Sequence, residues 1–201
     1  MQPALDQFRI NLKQVRQLVS LYKILKTQTM GLIDLSDILR AAFVFGLGAL
    51  DFCVHELVRL GMLEIHDGKR STTRGFLKFG VSIESARTAV ANPADNRWLD
   101  GEIRARHGWQ SFQQPESITK AIRLISDKAF WNSVASAMGE KDATELKLRL
   151  SLIVDRRNEI VHEADMDPTY LGARWPIDQK LVDDALDFIE RFAESLFAAV
   201  S

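Results

Sequence analysis

Apolar residues recur along most of the chain at three- and four-residue steps, the repeat of an α-helix with one buried face. Leu5, Phe8, Leu12, Val15, Leu18, Tyr22 and Leu25 mark a first helix over roughly Pro3 to Thr27, which Gly31 breaks. Asp34 opens a second, long helix that runs to about Gly61, with Asp37 in its first turn, where a carboxylate meets the positive end of the helix dipole. Its apolar run from Ala41 to Leu50 contains Gly46 and Gly48, which predicts burial on more than one side and close approach of a neighbouring backbone. His66 to Gly80 is the least helical stretch: Asp67-Gly68 is a turn signal and Ser71-Thr72-Thr73 disfavours a helix interior. Short helices follow over Ser82–Ala91, Asn96–His107, Pro115–Asp127 and Phe130–Met138, punctuated by Pro93, Gly108 and Pro115.

Near the C-terminus the pattern strengthens. Asp142 with Glu145 three residues on reads as a capping pair. Leu146, Leu150, Ile153, Arg157 and Ile160 then share a stripe, and the helix is expected to end soon after His162, since Asp165, Asp167 and Pro168 extend it poorly. A loop over Thr169–Ile177 leads to Asp178, and Leu181, Ala185, Phe188, Phe192 and Leu196 form a last amphipathic helix. No repeat or low-complexity segment interrupts this order. The expectation is an all-α chain of one domain spanning 1–201, with core helices over about 3–61 and 142–200 and an inserted helical segment over about 65–139.

Composition narrows the reading. Of 201 residues, 46% are apolar and 26% charged, the balance of a globular chain with a core of its own. Twenty-six basic against 27 acidic residues give net charge -1, which excludes a chain that coats nucleic acid by bulk positive charge and leaves a local basic site open. One cysteine, Cys53, excludes an internal disulfide and a cysteine-rich zinc site; a reducing, cytoplasmic setting is the default expectation. The run Ala41–Leu50 is shorter than the ~20 residues a membrane span requires, so no membrane partner is expected.

Phosphate loops, H-E-x-x-H and G-x-S-x-G are absent from the sequence. One segment concentrates chemistry: Asp155-Arg156-Arg157-Asn158-Glu159-Ile160-Val161-His162-Glu163. Asn158 and His162, four apart, share a helix face, and the long side chain of Arg157 reaches over the same surface. Carboxylates close to His162 in the sequence favour its protonated form. A planar, permanently charged arginine beside a group that titrates near neutrality suits phosphate chemistry. The same run also has a plainer reading as a solvated helix end laced with ion pairs.

Arg157-Asn158-Glu159-Ile160-Val161-His162 resembles the R-x(4–6)-H signature of HEPN domains, with a polar residue directly after the arginine. The context is similar as well: a long helix near the C-terminus, an Asp167-Pro168 exit, an Arg174-Trp175-Pro176-Ile177-Asp178 approach and one more amphipathic helix. The likeness is closest to RiboL-PSP-type HEPN proteins, clear over Asp142–Phe197, plausible over Asp34–Gly61 and unsupported over His66–Met138. It implies an antiparallel helical bundle that forms a homodimer, acts on RNA without metal or cofactor, and belongs to a toxin–antitoxin, anti-phage or RNA-processing system with a possible antitoxin or regulatory partner. Carried over, Arg157 and His162 are the catalytic pair and Asn158 orients or binds the phosphate. The alternative within the family is a catalytically silent module that binds a nucleotide or partner protein; outside it, a helical adaptor.

Arg156, Asp51 and His55 are further candidates for substrate contact. Asp51 and His55, four apart on one face, are either a carboxylate that positions Arg157 and a second proton carrier, or a core-edge cluster making local hydrogen bonds. Lys69, Arg70, Arg74 and Lys78 either grip phosphates or form a solvated loop. The tryptophans, Trp98, Trp109, Trp131 and Trp175, read as core more readily than as stacking platforms. His66 reads as a turn residue, His107 as a helix end, and Cys53 as a buried, inert thiol.

Overall fold

A computed structural model of the chain describes residues 1–170 and 172–201. It is all-helical: α1 (Gln2–Thr29), α2 (Ser36–His66), α3 (Arg74–Leu77), α4 (Ile83–Ala91), α5 (Arg97–His107), α6 (Pro115–Ile122), α7 (Phe130–Met138), α8 (Ala143–His162) and α9 (Gln179–Val200). Among the described residues there is no strand, only an isolated antiparallel bridge between Met166 and Arg174.

α2 is the axis of the fold. Its 31 residues contact α1, α5, α6, α8 and α9, and its apolar side chains are buried on several sides, Leu39, Leu47, Leu50 and Val54 completely. By length and hydropathy this helix passes the test for a membrane span, which a core helix enclosed by its own protein also passes. α1 packs antiparallel to it, with the Met1 ammonium on Glu64, and antiparallel to α9, with Arg9 on Glu194 and Arg16 on Asp187 and Glu190. α8 also runs antiparallel to α2, whereas α9 runs parallel to it, Gly46 meeting Leu186 and Arg70 meeting the Val200 carbonyl.

Helix starts follow local chemistry. Asp142 Oδ1 accepts from the backbone N–H groups of Thr144 and Glu145, and Asp178 Oδ1 from that of Leu181. Ser82 and Thr73 cap α4 and α3 in the same way. α2 has no side-chain cap; Asp34 instead accepts from Ser36 N–H, holding the approach. The expected helix over Pro115–Asp127 stops at Ile122. Leu171, within the expected loop Thr169–Ile177, lies outside the described residues.

The segment over 65–139 shares one continuous core with the outer helices. Leu99, Ile103, Ile118 and Ile122 pack on α2, and Phe130, Trp131 and Val134 pack on Phe188 and Phe192 of α9. Of the two glycines expected to permit close approach, Gly46 does: a Cβ there would stand 2.4 Å from Leu186 Cδ2. Gly48 is exposed with nothing near it.

Gly75 is the tightest position. A Cβ there would lie 2.2 Å from the Arg123 carbonyl oxygen, a backbone atom that cannot swing aside. Gly75→Ala should therefore destabilise by roughly 1–3 kcal/mol, a fall in Tm of several degrees. Gly101→Ala, in α5 with open space around it, should instead stabilise by about 0.5–1 kcal/mol. Thermal unfolding of the two variants checks both signs.

Candidate functional site at the end of α8

The last turn and a half of α8 is held by a buried ionic cluster centred on Asp165, a residue with no accessible surface. Asp165 follows the helix by three positions and takes left-handed backbone angles (φ 61°), as does Ala164 before it (φ 53°), so the chain reverses there. Its N–H donates to the Glu159 carbonyl at 3.1 Å and its own carbonyl accepts from Trp175 N–H at 2.8 Å. Its carboxylate accepts from Arg40 Nε of α2 at 2.6 Å and from Arg156 Nη2 of α8 at 3.0 Å, while Arg156 Nη1 pairs with the other oxygen. Arg40, itself buried, donates further to Ser36 Oγ at 2.6 Å and the Trp175 carbonyl at 3.0 Å. One carboxylate thus ties together α2, α8 and the hairpin that returns from it.

The sequence motif divides around this cluster. Arg156, expected among the substrate contacts, points inward to Asp165 and carries Glu159 at 3.2 Å. Arg157 shares the stripe of Leu146, Leu150 and Val154. It is half-buried, its Nε has no hydrogen-bond partner, and its Nη1 donates to Asn158 Oδ1 at 3.0 Å. Asn158 therefore orients the guanidinium directly. His162 is exposed on the last turn, on the outer stripe that includes Leu148, Leu152 and Glu159. Glu159 is engaged by Arg156, and His162 forms no ion pair among the described residues. Five residues separate Arg157 from His162, about 140° round the helix, so within one chain they face different directions.

Arginines elsewhere are neutralised or solvated. Every other arginine that is buried or half-buried (Arg16, Arg40, Arg59, Arg70 and Arg156) has a carboxylate partner. Among the described residues, Arg157 alone combines partial burial with the absence of any ion pair. Its charge and the remaining N–H donors of its two Nη groups are left for something outside the chain, while Nε is buried. A cavity of about 500 Å³ elsewhere on α8 is lined by Phe43, Arg149, Leu152, Arg156, Asp178 and Asp184, and Arg157 is not part of its wall.

Asp51 and His55 do not reach this site. Asp51 accepts from Phe112 N–H at 2.5 Å, and His55 Nε2 lies 3.2 Å from the Gln110 carbonyl and 4.0 Å from Asp51, its ring against Phe112. They hold the α5–α6 connection to α2, the core-edge reading of the pair. Of the basic loop, Arg70 bonds the Ile125 and Val200 carbonyls and Lys69 bonds Asp67. Cys53 is buried, which pushes its thiol up to about 12. His66 ends α2 and meets Trp98 edge-on. His107 does end α5, but inside the protein: only 5% is exposed, and burial, aided by His55, lowers it to about 4.

Sequence reasoning missed Arg40 and Asp165, which read as a helix residue and a helix stop. Comparison with family models, with characterised proteins and with solved structures returns no match for this chain.

Removing the Asp165 carboxylate strands two inward-facing guanidinium groups. Asp165→Ala should cost about 3–5 kcal/mol, a fall in Tm of roughly 6–20 °C for a chain of this size. Arg156→Ala should cost less, because Arg40 stays paired; calorimetry on both ranks them. A second expectation concerns acid. His107 is held neutral in the folded chain down to about pH 4, while the unfolded chain takes up its proton near 6.5. Folding stability therefore falls as pH drops from 6.5 toward 4. His107→Leu should flatten that part of a urea-midpoint profile, whatever its effect at pH 7.

Proposed function

We propose that the chain is a HEPN-type endoribonuclease that works as a homodimer through Arg157, Asn158 and His162. The observation that carries this reading is the unneutralised, half-buried guanidinium of Arg157, held by Asn158 one turn before an exposed histidine. A planar donor fork with no carboxylate of its own is built for a phosphate.

In this mechanism the RNA 2′-oxygen attacks the adjacent phosphorus and the bond to the 5′-oxygen breaks, leaving a 2′,3′-cyclic phosphate and a 5′-hydroxyl. An imidazole accepts the 2′-hydroxyl proton and a second returns one to the leaving oxygen. Arg157 stabilises the charge that grows on the non-bridging oxygens. No step requires a metal or cofactor. One chain contributes only one such histidine, and a twofold-related copy supplies the other.

Dimerisation along α8 is supported by its exposed stripe. Leu148 and Leu152, each 60% exposed, begin a three- and four-residue series that continues through Asp155 and Glu159 to His162. A copy packed parallel on those leucines, with the twofold axis along α8, brings two His162 side chains toward one another. The competing reading is a silent module in which Arg157 only clamps an anion, and the roughly 140° between Arg157 and His162 favours it for an isolated chain.

Variants separate the two readings. With single-stranded RNA in EDTA, His162→Ala should lower the cleavage rate by roughly 10²–10⁴-fold while retaining binding. Arg157→Ala should lose both affinity and at least ~10²-fold in rate. Arg157→Lys should restore binding more than rate, since lysine keeps the charge without the fork. Leu152→Glu should halve the solution mass from twice 22.7 kDa and abolish cleavage with the fold intact by circular dichroism. Wild-type rates in His162→Ala and Arg157→Ala would end the nuclease assignment; binding without cleavage in the wild type would select the silent module.

A further inference from the structure

Away from α8, a cavity of about 510 Å³ opens where the residues after α3 meet α5 and α6. Its wall includes His107, the last residue of α5, 5% exposed, whose Nδ1 has no hydrogen-bond partner among the described residues. Phe79 and Phe112 hold the imidazole edge-to-face, with ring centroids 5.8 and 5.3 Å away. His107 also lines a second cavity, beside His55, so its ring lies between the two. Burial, aided by His55, lowers the imidazole to about 4, so the ring is neutral at pH 7.

Two residues on, Trp109 borders the same cavity with 81% of its surface exposed, far more than the buried Trp131 or the half-buried Trp98 and Trp175. The lining also supplies cations. Lys23, Lys69 and Lys180 are the lysines that form ion pairs among the described residues, which leaves Lys78 and Lys120 unpaired. Glu102, the one carboxylate in the lining, accepts from Ser82, Ser85 and Arg106. An exposed indole face, a neutral imidazole and two free ammonium groups thus border one space. Its volume falls in the range of small-ligand sites.

We propose that this cavity binds a nucleoside monophosphate unit, with its base against Trp109 and His107 and its phosphate toward Lys78 and Lys120, at a site separate from Arg157 and His162. A base has a π-face for the indole, with the imidazole as part of the wall behind it; the phosphate meets the lysines. The chemistry is the same for a free nucleotide and for one residue of an RNA strand. The inserted segment, to which the family likeness assigns nothing, thereby acquires a recognition role of its own. The proposal holds whether or not the α8 motif cleaves.

The test uses the full chain carrying His162→Ala, which suppresses any cleavage, and follows tryptophan fluorescence during titration with AMP, GMP, CMP and UMP, their nucleosides, and a six-nucleotide single-stranded RNA. At least one monophosphate or the RNA should quench saturably. Trp109→Phe should remove the quench, and Trp109→Ala should weaken binding roughly ten- to a hundredfold by competition against a labelled ligand. Lys78→Glu with Lys120→Glu should weaken the monophosphate roughly tenfold or more and the nucleoside little. RNA binding at least about tenfold tighter than any monophosphate makes the strand the source; comparable or tighter monophosphate binding makes it the free nucleotide. No saturable quench from any ligand, a quench that survives Trp109→Phe, or affinity indifferent to the lysine pair overturns the proposal. Cleavage by the parent chain alongside such a failure leaves the nuclease reading standing.

Discussion

Everything at the functional end of the molecule depends on one buried carboxylate placed between two arginines. Asp165 receives Arg40 from α2 and Arg156 from α8, and its backbone closes the end of α8 and starts the return hairpin. Ions of this kind lose most of their hydration when buried, so the cluster is a weak source of net stability and a strong source of position. At the rim Arg40 is further paired with Asp37 and Arg156 with Glu159. The result fixes the rotation of α8 about its own axis: with Arg156 locked inward, Arg157 falls toward the core side and Asn158 and His162 toward solvent. Two adjacent arginines thereby take opposite tasks, one neutralised as a strut and one left charged.

The helices were legible because their cause is local. α8 starts at Asp142 and α9 at Asp178 through caps written in three or four residues, and the apolar stripes of α1 and α9 follow from spacing alone. The candidate site was legible only as a list of chemical types. Which arginine faces which way is decided by Arg40, 125 positions from Asp165 in the chain, and no local pattern carries that information. Asp165 reads in sequence as a helix breaker; its burial follows from two left-handed residues that turn its carboxylate back into the protein. His107 reads as a helix end, and its burial is not legible in the sequence because the aromatic rings that enclose it come from separate segments. Asp51 and His55 had two readings, and the backbone of the α5–α6 connection, invisible to periodicity, decides between them.

That connection also joins the two halves of the molecule. Asp51 and His55 hold it to α2, while Gln114 donates to Asp155, one residue before the strut arginine, at 3.3 Å. The inserted segment is therefore packed into the same frame that orients α8, through polar contacts as well as through Leu99, Ile103, Ile118 and Ile122. A ligand seated against Trp109 would lie on an element attached to the motif helix at its other end.

The central position of α2 carries a consequence for biosynthesis. The chain is made from its N-terminus, so α1 is available when α2 emerges, but the faces covered by α8 and α9 are not. Between His66 and Val200 lie 134 positions, which take roughly 7–30 s to translate at ordinary elongation speeds. For that interval the faces of this 31-residue apolar helix that α8 and α9 cover lack partners that have not yet been synthesised. Slowing translation downstream of α2 therefore lengthens that exposure without altering a single residue of the finished protein.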